Sequence, residues 1–417
     1  MKISIIAIGD ELLIGQVIDT NSGEIARQIG PHGWEVNDVQ VIADNAIEIR
    51  RAVDRAFQLS DVVLTTGGLG PTKDDITKLT MCDIFGGEMR LDPATLENVK
   101  DVVARRGIKL NSLTADQAIV PTSCRVIQNR VGTAPIMWFD RDEGKKVLVA
   151  MPGVPFETRQ MFADAVLPML LERFPSKAVV LHTNTIVAGM TESEVAMALA
   201  PIEDAFPPEL HLAYLPKPGL IRLRLDAHGT DRDTLQSLID EATSKIRQRL
   251  DRHILSTGDR TIGEITLDTF RELKLTLATA ESCTGGNIAH TITAVAGSSE
   301  YFKGSVVAYA NDVKQNLLGV DPATLDQYGA VSEQVAAQMA EGAARAVGTD
   351  CAIATSGIAG PGGAVAGKPV GTVCIAVKTP KSTTTVTRHF PGTRDRVIDR
   401  ATTEGLIMLL LALRQNR

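Results

Sequence analysis

Over its first 65 residues the chain alternates between two periodicities, and this constrains the fold more than any other feature of it. Lys2 to Ile8, Trp34 to Ile42 and Val62 to Thr65 are short apolar runs rich in β-branched residues. Ser22 to Ile29 and Ala46 to Leu59 place their apolar residues at helical spacing. A βαβαβ order of this kind joins its strands by helical crossovers and gives a parallel sheet covered on both faces. Asp44 and Asn45 supply caps for the second helix. The fold class expected is therefore α/β, and in such folds ligands collect at the C-terminal ends of the strands.

A chain of 417 residues exceeds what one core serves. Composition shifts near Phe174-Pro175-Ser176 and Thr257-Gly258-Asp259 suggest three domains, at 1–174, 175–256 and 257–417. The middle one reads as a small α+β module. It has a strand at Val179 to Val187, a capping box Thr191-Glu192-Ser193-Glu194, a strand pair at His211 to Leu215 and Leu220 to Ala227, and a helix from Asp231 to Leu250. The last domain alternates again: a helix at Thr261 to Arg271, strands at Leu273 to Thr279, Gly304 to Ala308, Cys351 to Thr355 and Gly371 to Val377, an Ala-rich helix at Ser332 to Val347, and a closing helix at Asp395 to Leu413.

A formal charge of −7 argues against a general nucleic-acid binder, which would carry an electropositive face. The five cysteines are scattered, with no CxxC pair, as expected of reduced thiols in a cytoplasmic protein. Ile3 to Ile8 is interrupted by Gly9-Asp10-Glu11, and Leu406 to Leu413 is too short to span a bilayer, so no membrane segment is expected.

The chemistry concentrates in the last domain. Ala280-Glu281-Ser282-Cys283-Thr284-Gly285-Gly286 places a serine and paired glycines between a strand and a helix. Three further small-residue clusters follow, Gly297-Ser298-Ser299, Ser356 to Gly363 (with Gly357, Gly360 and Gly362) and Lys368 to Thr372; their adjacency to strand ends would gather them on one rim. His290 lies about two helical turns beyond Ser282, which disfavours a Ser-His-Asp set. A Ser-Lys device fits better, with Lys314 desolvated enough to be neutral, Tyr309 relaying the proton or orienting the pair, and the amides of Thr284 to Gly286 receiving the oxyanion. The bland alternative for Ser282 is a helix N-cap.

The runs AESCTGG, AYANDVKQNLLGV, GAVSEQVAAQMAEG and TSGIAGPGG with KPVGTV resemble the nicotinamide-nucleotide amidase domain of the competence/damage-inducible protein CinA family. The resemblance implies metal-free hydrolysis of nicotinamide mononucleotide to nicotinic acid mononucleotide and ammonia. It implies Ser282 as nucleophile and Tyr309 and Lys314 as its activating pair, with no cofactor. Thr284, Gly285, Gly286, Ser298, Ser299, Thr355, Gly357, Gly360 and Gly362 are the expected substrate contacts. Ala310 departs from the serine more usual in the family after the tyrosine.

At the other end, Gly67-Gly68-Leu69-Gly70 follows a strand and leads into Asp74-Asp75, a phosphate cradle with carboxylates that suit a divalent cation or a polar ligand, or alternatively a helix cap. TTGGLGPTKDDIT resembles the molybdopterin-binding superfamily, and IAIGDELLIGQVIDTNS and MPGVPFE are similar to the version that opens CinA proteins. The likeness implies hydrolysis of ADP-ribose with a divalent metal of unknown identity. Asp75 aligns best with the functional aspartate, and Asp10, Glu11 and Asp74 are further metal candidates. The middle module is similar to a KH-type fold without the glycine loop that clamps RNA, so no nucleic acid partner is expected. The family implies a homodimer. Two competing readings remain: activity in the N-terminal domain alone, as a pyrophosphatase or pterin-binding unit, or a non-catalytic scaffold for competence and recombination.

Overall fold

The computed structural model describes residues 1–72 and 75–415. The chain divides into two compact units, one formed by Met1–Leu181 with His228–Leu235, the other by His182–Ala227 with the residues from Gln236 onward.

In the first unit, strands β1 (Lys2–Ile8), β2 (Glu35–Ile42), β3 (Val62–Thr66), β4 (Met89–Leu91), β5 (Ile119–Pro121), β6 (Arg125–Ile127), β7 (Ile136–Arg141) and β8 (Lys146–Met151) follow in order. Six of them form one sheet, ordered β2-β1-β3-β8-β7-β6, while β4 and β5 pair separately. The β2, β1, β3 and β8 strands are parallel, with Ile5 opposite both Val39 and Leu64. The β7 and β6 strands run antiparallel, so the expected all-parallel sheet carries an antiparallel margin. The β1 run is apolar throughout because both of its faces are buried: Ile3 and Ile5 pack with Ile25, Leu64 and Phe162, and Ile6 and Ile8 with Ile49, Val53 and Phe139.

The KH-like module contributes β9 (Val179–Ala188), β10 (Leu210–Lys217), β11 (Leu220–Gly229) and β12 (Ile254–Thr257), ordered β10-β11-β9-β12. The capping box at Thr191 forms as expected, with Thr191 and Glu194 exchanging hydrogen bonds at the start of the helix Glu192–Glu203.

The last sheet is built from β13 (Leu277–Glu281), β14 (Phe302–Val307), β15 (Cys351–Gly357), β16 (Thr372–Lys378) and β17 (Thr383–His389), ordered β14-β13-β15-β16-β17. Here β14, β13 and β15 are parallel, and β16 and β17 antiparallel. Alanines do much of the packing: Ala278, Ala280, Ala352 and Ala354 meet Ala336, Ala340 and Ala343 of the helix Glu333–Val347. On the other face Leu277 and Ile353 pack with Phe270, Ile288 and Leu409. The strand expected at Leu273 to Thr279 starts later. The preceding helix runs on to Leu273, and Lys274, left-handed at φ 55°, ends it. Among the described residues no helix is long and apolar enough to cross a membrane.

Candidate active site

Because β14, β13 and β15 are parallel, their C-terminal ends share one rim, where Glu281 faces Val307 and Thr355 across the ladders. Ser282 is the first residue past β13, and its amide donates to the Thr355 carbonyl at 2.9 Å. The chain then turns through Gly285 (φ 60°) and Gly286 (φ 100°), a conformation that favours glycine, into the helix Asn287–Thr293. Gly286 is the N-cap of that helix. Ser282 is therefore not capping it, and its hydroxyl is left for other work.

Glu281 takes over the capping. Its side chain is fully buried, and its carboxylate accepts from the amides of Gly286 at 2.9 Å, Ile288 at 3.0 Å and Ala289 at 2.8 Å, and from the hydroxyls of Thr284 at 2.8 Å and Thr279 at 3.2 Å. A buried anion at a helix N-terminus, held by five donors, anchors the serine loop to the sheet.

Lys314 lies on the helix Asn311–Leu318 that follows β14, and it is 1% exposed. Its Nζ is 3.2 Å from Ser282 Oγ, 2.7 Å from the Ala308 carbonyl and 3.3 Å from the Tyr309 carbonyl. Among the described residues no carboxylate forms an ion pair with it. Burial pushes its pKa below the ordinary lysine range, against a smaller opposing effect of the nearby Cys283. Nζ donates to the two carbonyls and to Ser282 Oγ, so loss of one proton would leave a lone pair for the serine hydroxyl.

The Tyr309 side chain lies elsewhere. It is 61% exposed, and its hydroxyl accepts from Arg394 Nη2 at 2.9 Å, while Arg394 Nη1 donates to the Gly360 carbonyl at 2.8 Å. Among the described residues no hydrogen bond joins the tyrosine hydroxyl to Ser282 or Lys314, so the structure brings together Ser282 and Lys314 but not the expected triple. Sequence reasoning missed both Glu281 and Arg394 as parts of this site. Cys283 is buried beside Val373 and Ile375, and burial raises its thiol pKa to about 12, so it is not a competing nucleophile.

The expected substrate contacts separate into groups. Thr284 and Thr355 are buried and joined hydroxyl to hydroxyl at 2.7 Å. The amides of Gly285 and Gly286 are already committed, to the Ser282 carbonyl at 3.1 Å and to Glu281. Of the amides expected to receive an oxyanion, Thr284 to Gly286, that of Thr284 has no acceptor among the described residues, and the neighbouring Cys283 amide meets only its own thiol. A Cβ on Gly357 would fall 2.8 Å from the Thr372 carbonyl, so close packing against β16 accounts for that glycine, whereas Gly362 faces open space. Ser298 and Ser299 are not on this rim. They precede β14, whose first residue, Phe302, is opposite Leu277 at the start of β13. That puts them at the other end of the sheet, roughly 13 Å of strand away from Ser282.

In the first unit, Asp10, Glu11, Gly67, Gly68, Gly70 and Asp75 line a cleft of about 430 Å³, together with Asp44, which sequence reasoning took only as a cap. Asp74 lies outside the described residues. A Cβ on Gly67 would fall 2.1 Å from the Ile8 carbonyl, and one on Gly68 2.0 Å from Thr77 Oγ1, so both glycines are required by close approach. Asp75 closes the following turn: its Oδ1 accepts from Gly70 at 2.8 Å, and its Oδ2 from the Thr72 amide at 3.0 Å and from the Thr72 hydroxyl. The Asp44 amide donates to Asp10 Oδ1 at 3.3 Å, which holds those two residues together. Among the described residues no group of three or more His, Cys, Asp or Glu could hold a metal ion by itself. Asp10 and Asp44 are the carboxylates of this lining that would hold a divalent ion, which would need phosphate or water for the rest of its ligands.

Three family models match the chain: "Probable molybdopterin binding domain" over residues 4–172, "Damage-inducible protein CinA KH domain" over 182–255 and "CinA C-terminal domain" over 259–413. A CinA-like protein of Flavobacterium psychrophilum is 39% identical over 420 residues, spanning 100% of this chain and 99% of that protein. A CinA-like protein of Gemmatimonas aurantiaca is 39% identical over 403 residues, spanning 96% and 94%. Among solved structures, the competence/damage inducible protein CihA of Agrobacterium tumefaciens is 40% identical and covers 37% of this chain and 94% of its own, with a TM-score of 0.36. Matched along nearly its whole length by such relatives, and by all three domain models in order, the chain belongs to the CinA family.

Proposed function

We propose that the last domain is a metal-free amidase acting on nicotinamide mononucleotide. The observation that carries this reading is the buried, carboxylate-free contact of Lys314 Nζ with Ser282 Oγ. Lys314 accepts the Ser282 proton as Oγ attacks the carboxamide carbon, and the tetrahedral oxyanion is received by the Cys283 and Thr284 amides. The resulting ammonium returns the proton to the departing nitrogen; the C–N bond breaks and ammonia leaves a nicotinoyl ester on Ser282. Neutral Lys314 then deprotonates a water that attacks the ester. Collapse of the second tetrahedral intermediate releases nicotinic acid mononucleotide, and Ser282 recovers its proton. Arg394, held between Tyr309 and Gly360, supplies a cation on the same rim for the substrate phosphate.

The test is ammonia and nicotinic acid mononucleotide production by the full chain in excess EDTA. Ser282→Ala is expected to lower kcat by about a thousandfold or more. Absence of turnover in folded wild-type protein overturns the reading.

A second reading concerns the first unit. The glycine-lined cleft holding Asp10, Asp44 and Asp75 supports binding of a nucleotide pyrophosphate such as ADP-ribose. A bound divalent ion would neutralise the pyrophosphate and activate water. On this reading Asp10 and Asp44 would hold the ion, and Asp75 fixes the Gly70 to Thr72 turn at the edge of the cleft. EDTA removes this activity and leaves the amidase intact.

A further inference from the structure

A second cavity, of about 410 Å³, lies in the unit that contains the amidase rim. It is bounded by the β10–β11 turn, by the start of the helix Ile262–Leu273 and by the helix Arg394–Gln415. Four cations line it: Lys217, Arg222, Arg260 and Arg400. Arg222 is paired with Asp259 at 2.8 Å and Arg260 with Asp268 at 2.7 Å. Among the described residues neither Lys217 nor Arg400 is in an ion pair. The floor is apolar, formed by Ile186, Leu220 and Ile262. Asp399 is the carboxylate of the lining, and it is turned toward the Asn287 side-chain amide at 3.4 Å.

We propose that this cavity binds a nucleoside monophosphate, with the phosphate on Lys217 and Arg400 and the base against the apolar floor. Its size lies within the usual range for small-molecule sites, and an apolar pocket with a few convergent charges is the arrangement that such ligands select. Free phosphate would satisfy the cations but leave the floor uncovered, and a nucleoside would do the reverse.

The site also connects to the amidase loop. Asn287, the first residue of the helix after the serine loop, donates to Thr402 at 3.0 Å as well as to Asp399, and Arg400 follows Asp399 on the same helix, about 100° round its axis. That helix begins with Arg394, which holds Tyr309 and Gly360. A phosphate drawn onto Arg400 therefore acts on a helix that holds Asn287, at the start of the helix after the serine loop, and, through Arg394, Tyr309 and Gly360.

The proposal does not depend on the amidase reading, because its readouts are binding and amide exchange rather than turnover. Calorimetric titration of the full chain with AMP, adenosine and inorganic phosphate is compared between wild type and the K217Q/R400Q double variant. AMP is expected to bind wild type, with adenosine and phosphate each weaker by about tenfold or more, and the variant is expected to lose AMP affinity by a similar factor at unchanged Tm. Hydrogen exchange at residues 283–289 is expected to slow on AMP addition in wild type only. Equal AMP affinity in the two proteins, phosphate binding as tight as AMP, or protection that persists in the variant each overturns the assignment.

Discussion

Among single residues, the protonation of Lys314 decides whether Ser282 can react. Only the neutral amine can accept a proton from Ser282, so kcat/KM should rise with pH through a lysine pKa that burial has lowered. The stability consequence has the same direction. Burial disfavours the charged form in the folded state alone, so unfolding takes up a proton between the depressed value and the ordinary one near 10.4, and stability rises with pH across that window. Lys314→Met should abolish turnover and flatten this rise in a series of denaturation midpoints against pH. Lys314→Arg should be equally inactive, since a guanidinium cannot act as a base. Tyr309 provides a separate test. With its hydroxyl on Arg394, Tyr309→Phe should raise KM for nicotinamide mononucleotide by about threefold to tenfold and change kcat little. A kcat loss as large as that of Ser282→Ala would instead make the tyrosine a proton relay whose contact forms only with substrate. Ser282 was legible in the sequence because small residues at strand ends mark a rim; Lys314 was reached through the run AYANDVKQNLLGV, and its contact with the serine exists only through tertiary folding. Glu281 was not legible, because a glutamate beside a serine reads as an ordinary charge until five donors from its own strand, the following loop and the next helix converge on it. Arg394 was hidden by the 85 residues that separate it from Tyr309.

At the scale of elements, the position of Lys314 depends on how closely two helices approach. Gly342 is in the middle of the helix Glu333–Val347, and a Cβ there would fall 2.0 Å from the Leu318 carbonyl that ends the Lys314 helix. Arg345 donates to the same carbonyl at 3.0 Å. In an open helix Gly→Ala adds up to about 1 kcal/mol of stability. Here the sign should reverse: Gly342→Ala pushes the Lys314 helix away, lowers Tm by steric overlap, and lowers kcat more than it changes KM as Nζ withdraws from Ser282. An unchanged Tm and kcat would show that this contact does not position the lysine. Most elements were legible from periodicity, including the strand Lys2–Ile8 and the helix Ala46–Leu59. β17 was not, since TTTVTRH carries one aliphatic residue and gives little alternation to detect, and its place is set by pairing with β16. The late start of β13 has a local cause, the left-handed Lys274, which no apolar pattern signals.

At the scale of the whole molecule, three domain signatures in one order make the CinA family membership plain. Family membership alone does not assign a reaction; the rim of the last sheet and the acidic cleft of the first unit each argue for their own chemistry. The central claim is that Ser282, activated by Lys314, carries the acyl group of the substrate. The most direct measurement is an acid-quenched single turnover of the full chain with nicotinamide mononucleotide, in EDTA, followed by mass analysis of the peptide containing Ser282. A nicotinoyl adduct on Ser282 is expected to form and decay as ammonia and product appear, with no adduct in Lys314→Met. Ammonia release at the wild-type rate by Ser282→Ala, or turnover in which Ser282 is never labelled, would contradict it.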